Sequence, residues 1–269
     1  TQIETLRGDI DRGRIRYAVF DFDGTVSLVR EGWQDIMIPM MVSILAETKT
    51  DETHQELTDL VSDFVSRLTG KQTIFQMIRL AEEVGLRGGE PKDPLAYKHQ
   101  YHDLLWDRIE GRVAGLKDGS IEPESLMVPG ANRVLEELKA RDVCLILASG
   151  TDLVYVRDEA EALGLVSYFD GGIFGALDDH EKFSKKMVLN EIMATRRLSG
   201  PELLVLGDGY VEIEEARRVG GIAVGVASNE AQREGIDTWK RLRLIEAGAD
   251  LIIPDFRESG NLVDYLFAS

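Results

Sequence analysis

The sequence is short of cysteine, of basic residues and of long apolar runs, and each shortage removes a class of protein. Cys144 is the single cysteine among 269 residues, so neither an intrachain disulfide nor a zinc-thiolate site can form. It lies in the apolar run Val143, Cys144, Leu145, Ile146, Leu147, Ala148 and reads there as a small buried hydrophobe. Lys and Arg number 31 against 48 Asp and Glu, a formal net charge of −17 that repels phosphate backbones. Nucleic acid and anionic membrane surfaces are therefore not expected partners. No apolar run approaches the ~20 residues of a membrane helix and nothing resembles a signal peptide, so a cytoplasmic protein is expected. The first residue is Thr1, not Met, which leaves processing and a longer parent chain both open. Nothing in the pattern speaks to oligomeric state.

What is present is globular. Hydrophobic residues make up 43% and charged residues 29%, enough for one large α/β domain or two modest ones, each with a real core. Over residues 31–113 the apolar positions recur at three- and four-residue spacing: Ile36, Met40, Met41, Ile44, Leu45, then Leu57, Leu60, Val61, Phe64, Val65, Leu68. A third helix is expected over 74–84, and Pro94 opens a fourth carrying Leu95, Leu104, Leu105 and Ile109. After Pro129 and Gly130 the character changes. Short apolar runs at 143–148, 203–206, 222–226 and 251–253 read as strands, alternating with helices near 131–140, 152–163, 185–195, 211–219 and 238–247. Such alternation predicts a Rossmann-like parallel sheet covered on both faces. The apolar run at 15–20 supplies its first strand. The expected organisation is an α/β core of residues 1–28 and 114–269, with an all-helical domain of residues 29–113 inserted after the first strand.

Four places at strand ends or helix starts carry reactive side chains: Asp21 and Asp23; Ser149, Gly150 and Thr151; Lys185 or Lys186; and Asp208 between two glycines, with Glu212 after it. Read alone, each has an ordinary explanation as a turn, a cap or a solvated helix start. In an open parallel sheet, however, the carboxyl ends of the strands share one edge, where ligands bind, so these segments should converge. Asp21 then suits a nucleophile on phosphorus and Asp23 a proton shuttle. Asp21 and Asp208 offer the hard oxygens that magnesium prefers. Ser149 and the backbone N–H groups beside it, Gly150 included, can hold phosphoryl oxygens, while a lysine neutralises their charge.

The same residues resemble the motifs of the haloacid dehalogenase (HAD) superfamily, over roughly residues 14–28 and 128–255. DFDGTVS at 21–27 is similar to the family's first motif, LASGT at 147–151 to the second, SKKMVL at 184–189 to the third and LGDGYVE at 206–212 to the fourth. The resemblance implies Asp21 as nucleophile, Asp23 as general acid/base, Ser149 on the phosphoryl group, and Lys185 rather than Lys186 as the lysine. It implies a magnesium site drawn from Asp21, Asp23, Asp208 and Glu212, with Glu212 standing where Asp is commoner. It also implies that the helical insertion is a C1-type cap.

The resemblance further implies phosphate-ester chemistry, since members cleaving carbon–halogen or carbon–phosphorus bonds usually lack the acid at Asp23. A Mg2+-dependent phosphatase of small phosphorylated metabolites is therefore expected, working through an aspartyl-phosphate. A sugar phosphomutase shares every core residue, and a binding or regulatory module without turnover is the rival from another class. Arg30, Trp33 and the Gly-flanked Lys71 are candidate substrate contacts. The ester itself is not legible.

Overall fold

In the computed structural model, which describes residues 2–268, the chain forms two compact units. One comprises Thr1–Glu31 and Arg112–Ser269, the other Gly32–Gly111. The first is built on a seven-stranded sheet: β1 (Glu4–Thr5), β2 (Tyr17–Phe20), β3 (Cys144–Asp152), β4 (Ile173–Ala176), β5 (Leu203–Gly207), β6 (Ile222–Val226) and β7 (Leu251–Ile253). Their spatial order is β1-β7-β6-β5-β2-β3-β4, and every pairing is parallel except that of β1 with β7. Chain order reverses at β2, which has β3 on one side and β5 on the other. That reversal is the switch point at which such sheets open a crevice.

Helices α5 (Ala131–Lys139), α6 (Leu153–Ala162), α7 (Lys185–Arg196), α8 (Tyr210–Arg218), α9 (Thr238–Glu246) and α10 (Ser259–Phe267) belong to this unit. Val188, Leu189 and Ile192 of α7, Ile213 and Ala216 of α8 and Leu244 of α9 share one apolar cluster with Val19, Ile146, Val205, Ala223 and Ile252 of the sheet. Side chains alternate along a strand, so Phe20 points away from the face that takes Val19. There it is fully buried, with Phe169 at 6.3 Å and Phe256 at 6.4 Å between ring centroids. A buried aromatic of this kind contributes on the order of 1.5–3 kcal/mol, and here it fixes the strand end that leads into Asp21.

Two strands and a helix were not expected. β1 is only two residues long and pairs at the sheet edge, too short for any period. β4 follows Gly171 and Gly172, whose turn chemistry masks it. α10 is a nine-residue amphipathic helix burying Leu262, Val263 and Leu266. The end of the strand expected at 143–148 also shifts. β3 runs on through Ser149, Gly150 and Thr151 to Asp152, with a register irregularity between Ala148 and Asp152, because β4 supplies partners at Leu147, Ala148 and Asp152.

The second unit is helical: α1 (Gln34–Ala46), α2 (His54–Leu68), α3 (Thr73–Leu86) and the first part of α4 (Pro94–Asp118). Thr53 and Glu56 form a reciprocal capping box that starts α2, satisfying two backbone donors that a bare helix end would leave open. α1 packs on α2, and α3 on both. The buried stripe of α4 is Tyr97, Tyr101, Leu105 and Ile109, whereas Leu104, expected inside, is 41% exposed. Two tyrosines at four-residue spacing take the place that an aliphatic count gave to Leu104. Beyond the unit boundary, Arg112 donates to the backbone oxygens of Val29 (2.8 Å) and Glu31 (3.1 Å), pinning the segment that follows the first motif.

Candidate active site

Asp21 leaves β2 in register, its N–H donating to the Leu206 carbonyl at 2.9 Å, so the ends of β2 and β5 are locked side by side. One residue past β5, the N–H of Asp208 donates to Thr25 Oγ1 at 2.9 Å, which ties the two loops together. Lys185, at the start of α7, reaches in between two acids: its Nζ lies 2.8 Å from Asp21 Oδ1 and 2.9 Å from Glu212 Oε2. Glu212 Oε1 in turn accepts from Gly209 N at 2.8 Å, at the head of α8. Lys185 is buried and Lys186 exposed, so the structure brings the first of the two lysines to the acids.

Asp21, Asp208 and Glu212 each offer a carboxylate oxygen, all within 4.8 Å of one another. Burial pushes the Asp21 carboxyl well above the usual carboxylate range; Lys185 opposes this, while Glu212 and Asp208 add to it. Burial works against the charge on Lys185, but Asp21 and Glu212 outweigh it and raise that ammonium's pKa. Three crowded acids made only of hard oxygens fit a divalent cation such as magnesium.

Asp23 stands outside that group. Its Oδ2 accepts from Thr151 Oγ1 at 2.8 Å and from Ser149 Oγ at 3.3 Å, which turns the carboxylate toward β3. Its Oδ1 is buried without a hydrogen-bond partner, with Arg30 Nε 3.9 Å away. Asp23, named with the expected metal residues, has its side chain held by Ser149 and Thr151 of the second motif. Ser149 Oγ also accepts from Thr151 N at 3.0 Å, a local turn within the irregular stretch of β3 that includes Gly150.

Gly24 makes the crossing of these loops possible. It has φ +74°, and a Cβ there would lie 2.3 Å from Asp208 Oδ2. Gly24→Ala should lose about 1–2 kcal/mol from the left-handed backbone alone and displace Asp208 as well. A melting temperature indistinguishable from that of the wild type would contradict this.

Arg30 is buried and grips Glu159 of α6 with Nη2 at 2.6 Å and Nε at 3.0 Å from Oε1. Burial raises the Glu159 carboxyl, and Arg30 opposes it. Of the three candidate substrate contacts, Arg30 alone belongs to the unit that carries the acids. Trp33 and Lys71 lie in the helical unit: Trp33 at the N-cap of α1, and Lys71 exposed before α3 with its ammonium 6.0 Å from the centre of the Phe75 ring.

Sequence reasoning missed a second lysine. Lys240 Nζ lies 2.8 Å from Asp208 Oδ2, 2.6 Å from Glu230 Oε1 and 3.1 Å from Ser228 Oγ. Burial opposes its charge, yet Asp208 and Glu230 raise its pKa. One signal was available, since Lys240 precedes Leu244 by four residues and so shares the buried face of α9. Glu159 had none, being an ordinary polar residue until the fold places it; Thr151 was named with Ser149 and Gly150, but its bond to Asp23 was not foreseen.

Comparison with known proteins places this arrangement. The family of haloacid dehalogenase-like hydrolases matches over residues 15–220. A phosphoglycolate phosphatase of Synechococcus elongatus is 26% identical over 134 residues, 50% of this chain and 61% of that protein, so the match spans less than two thirds of its length. Among solved structures, a predicted phosphoglycolate phosphatase from Haemophilus somnus 129pt superposes with a TM-score of 0.62 at 14% identity, covering 93% of this chain and 98% of that one. A β-phosphoglucomutase from Clostridium difficile gives 0.56 at 14% identity, over 86% and 98%. A phosphonoacetaldehyde hydrolase-like protein from Oleispira antarctica gives 0.61 at 14% identity, over 98% and 97%. These three share the fold. With the family matched across most of its length and the motif residues gathered at one sheet edge, the chain belongs to the haloacid dehalogenase-like hydrolases.

Proposed function

We propose that the protein is a phosphatase of small phosphorylated metabolites that works through a phosphoenzyme on Asp21. The observation that carries the reading is the different surroundings of two acids two residues apart. Asp21 sits among Asp208, Glu212 and Lys185, while Asp23 is held apart by Thr151 and Ser149, its other oxygen making no hydrogen bond and facing Arg30 at 3.9 Å. A carboxylate beside a buried ammonium can attack, and one aimed away from it can carry a proton.

In the first half-reaction Asp21 attacks phosphorus, a new bond forms between its oxygen and phosphorus, and the ester P–O bond breaks. The proton on Asp23 goes to the departing oxygen. In the second half, Asp23 takes a proton from water as that water adds to phosphorus. The acyl-phosphate bond then breaks and inorganic phosphate leaves, with Asp21 a carboxylate again. Lys185 steadies negative charge on the transferred group, and Ser149 Oγ with the Gly150 N–H orients its oxygens. A magnesium ion held by Asp21, Asp208 and Glu212 would neutralise further charge on those oxygens. By the family resemblance the helical unit is a candidate cap, and Trp33, Lys71 and Arg30 are candidate substrate contacts.

The test is phosphate release from a panel of small esters. Phosphoglycolate leads the panel because a relative carries that activity in its name. Hydrolysis of at least one ester is expected to stop with EDTA and return with added Mg2+. Silence across the panel would revive a binding module, and a rate unchanged by chelation would contradict the metal site.

A further inference from the structure

We propose that Lys240 is a positioning residue for Asp208: its ammonium holds one oxygen of that carboxylate and thereby presents the other to the cation. The inference rests on the metal role proposed above for Asp208. Two lysines bracket the three acids from opposite ends. Lys185 joins Asp21 to Glu212, whereas Lys240 engages Asp208 alone of the three. Asp208 needs such a tether, because its two acid neighbours repel it and the bond from its N–H to Thr25 Oγ1 holds the backbone and not the carboxylate.

The tether is itself fixed. Glu230 and Ser228, both on the segment after β6, hold the Lys240 ammonium at 2.6 and 3.1 Å. Ser228 Oγ donates at 2.6 Å to the carbonyl of Gly24, inside the first motif. One side chain thus connects α9, the segment after β6 and the loop carrying Asp208, and through Ser228 it reaches the loop that carries Asp21 and Asp23. Glu230 also balances the charge of Lys240, so Asp208 is oriented without an added positive field on the cation. A ligand carboxylate held by an outer partner in this way keeps the direction the metal requires.

A purely structural salt bridge would stabilise the segment and leave cation affinity alone, and the two roles separate in the Glu230→Gln/Lys240→Met double variant. It removes one positive and one negative charge, so a change in affinity reports position rather than field. The probe is Mn2+ titrated into the full chain and followed by the electron paramagnetic resonance of the free ion, with the melting temperature read in parallel. The dissociation constant is expected to rise about tenfold or more. An unchanged constant in the folded variant overturns the proposal.

A crystal structure of the wild type with Mg2+ decides the matter if the variant does not fold. Asp208 Oδ2 should remain on Lys240 with the other oxygen on the ion; both oxygens on the ion, with Lys240 withdrawn, would overturn it. A wild type that binds no divalent cation removes the reading beneath the proposal, a result distinct from a variant that binds as well as the wild type.

Discussion

Replacing Asp21 with Asn is expected to end turnover, lowering kcat by on the order of 10,000-fold or more on any ester the wild type hydrolyses. The amide keeps the shape of the carboxylate but has no anionic oxygen to form the bond to phosphorus. The variant should fold, because Lys185 keeps Glu212 as its partner at 2.9 Å and the strand end is held by Phe20 and by the backbone bond from residue 21 to Leu206. It also relieves one of three crowded negative charges. Circular dichroism and thermal melting therefore check that the loss is chemical. Wild-type rates in a folded Asp21→Asn protein would remove Asp21 from the reaction.

Asp23→Asn should act differently on the two halves of the cycle. The amide can still accept from Thr151 and Ser149, so the site keeps its shape, but there is no proton to give or take. General acid–base groups contribute about 100- to 10,000-fold. The loss should reach the upper end of that range with alkyl phosphates, whose alkoxide needs a proton to depart. It should be smaller for p-nitrophenyl phosphate, whose phenolate leaves unassisted. With that ester, the first half-reaction outruns the second, and a burst of nitrophenol equal to the enzyme concentration is expected before a slow steady state. Equal losses on both esters, with no burst, would take the proton shuttle away from Asp23.

Much of this site was legible because the sheet confines its chemistry to strand ends. Asp21 follows a four-residue strand buried at Ala18, Val19 and Phe20, Asp208 follows β5, and in both the change from apolar run to acid marks the edge. Lys185 against Lys186 was decided only by resemblance until the helix start was seen to bury the first and expose the second. The hydrogen-bond direction of Asp23 was not legible at all. It depends on β3 continuing to Asp152, and that depends on β4, a strand hidden behind two glycines. Lys240 and Glu230 escaped for a related reason, since a lysine in a charged stretch looks solvated unless the wheel of α9 is drawn with Leu244 inside. Substrate choice is the least legible property, because a phosphoryl site is built from few residue types whereas the leaving group can meet any polar side chain.

The central claim is that Asp21 carries the phosphoryl group between the two half-reactions. The direct measurement is acid quench of the enzyme during turnover of an ester labelled in its phosphoryl group, followed by proteolysis and mass spectrometry. The account predicts label on the peptide containing Asp21, lost on treatment with hydroxylamine as an acyl phosphate is, and more abundant in Asp23→Asn. Continued turnover in the wild type with no label on the protein, even in Asp23→Asn, or label on any residue other than Asp21, would contradict it.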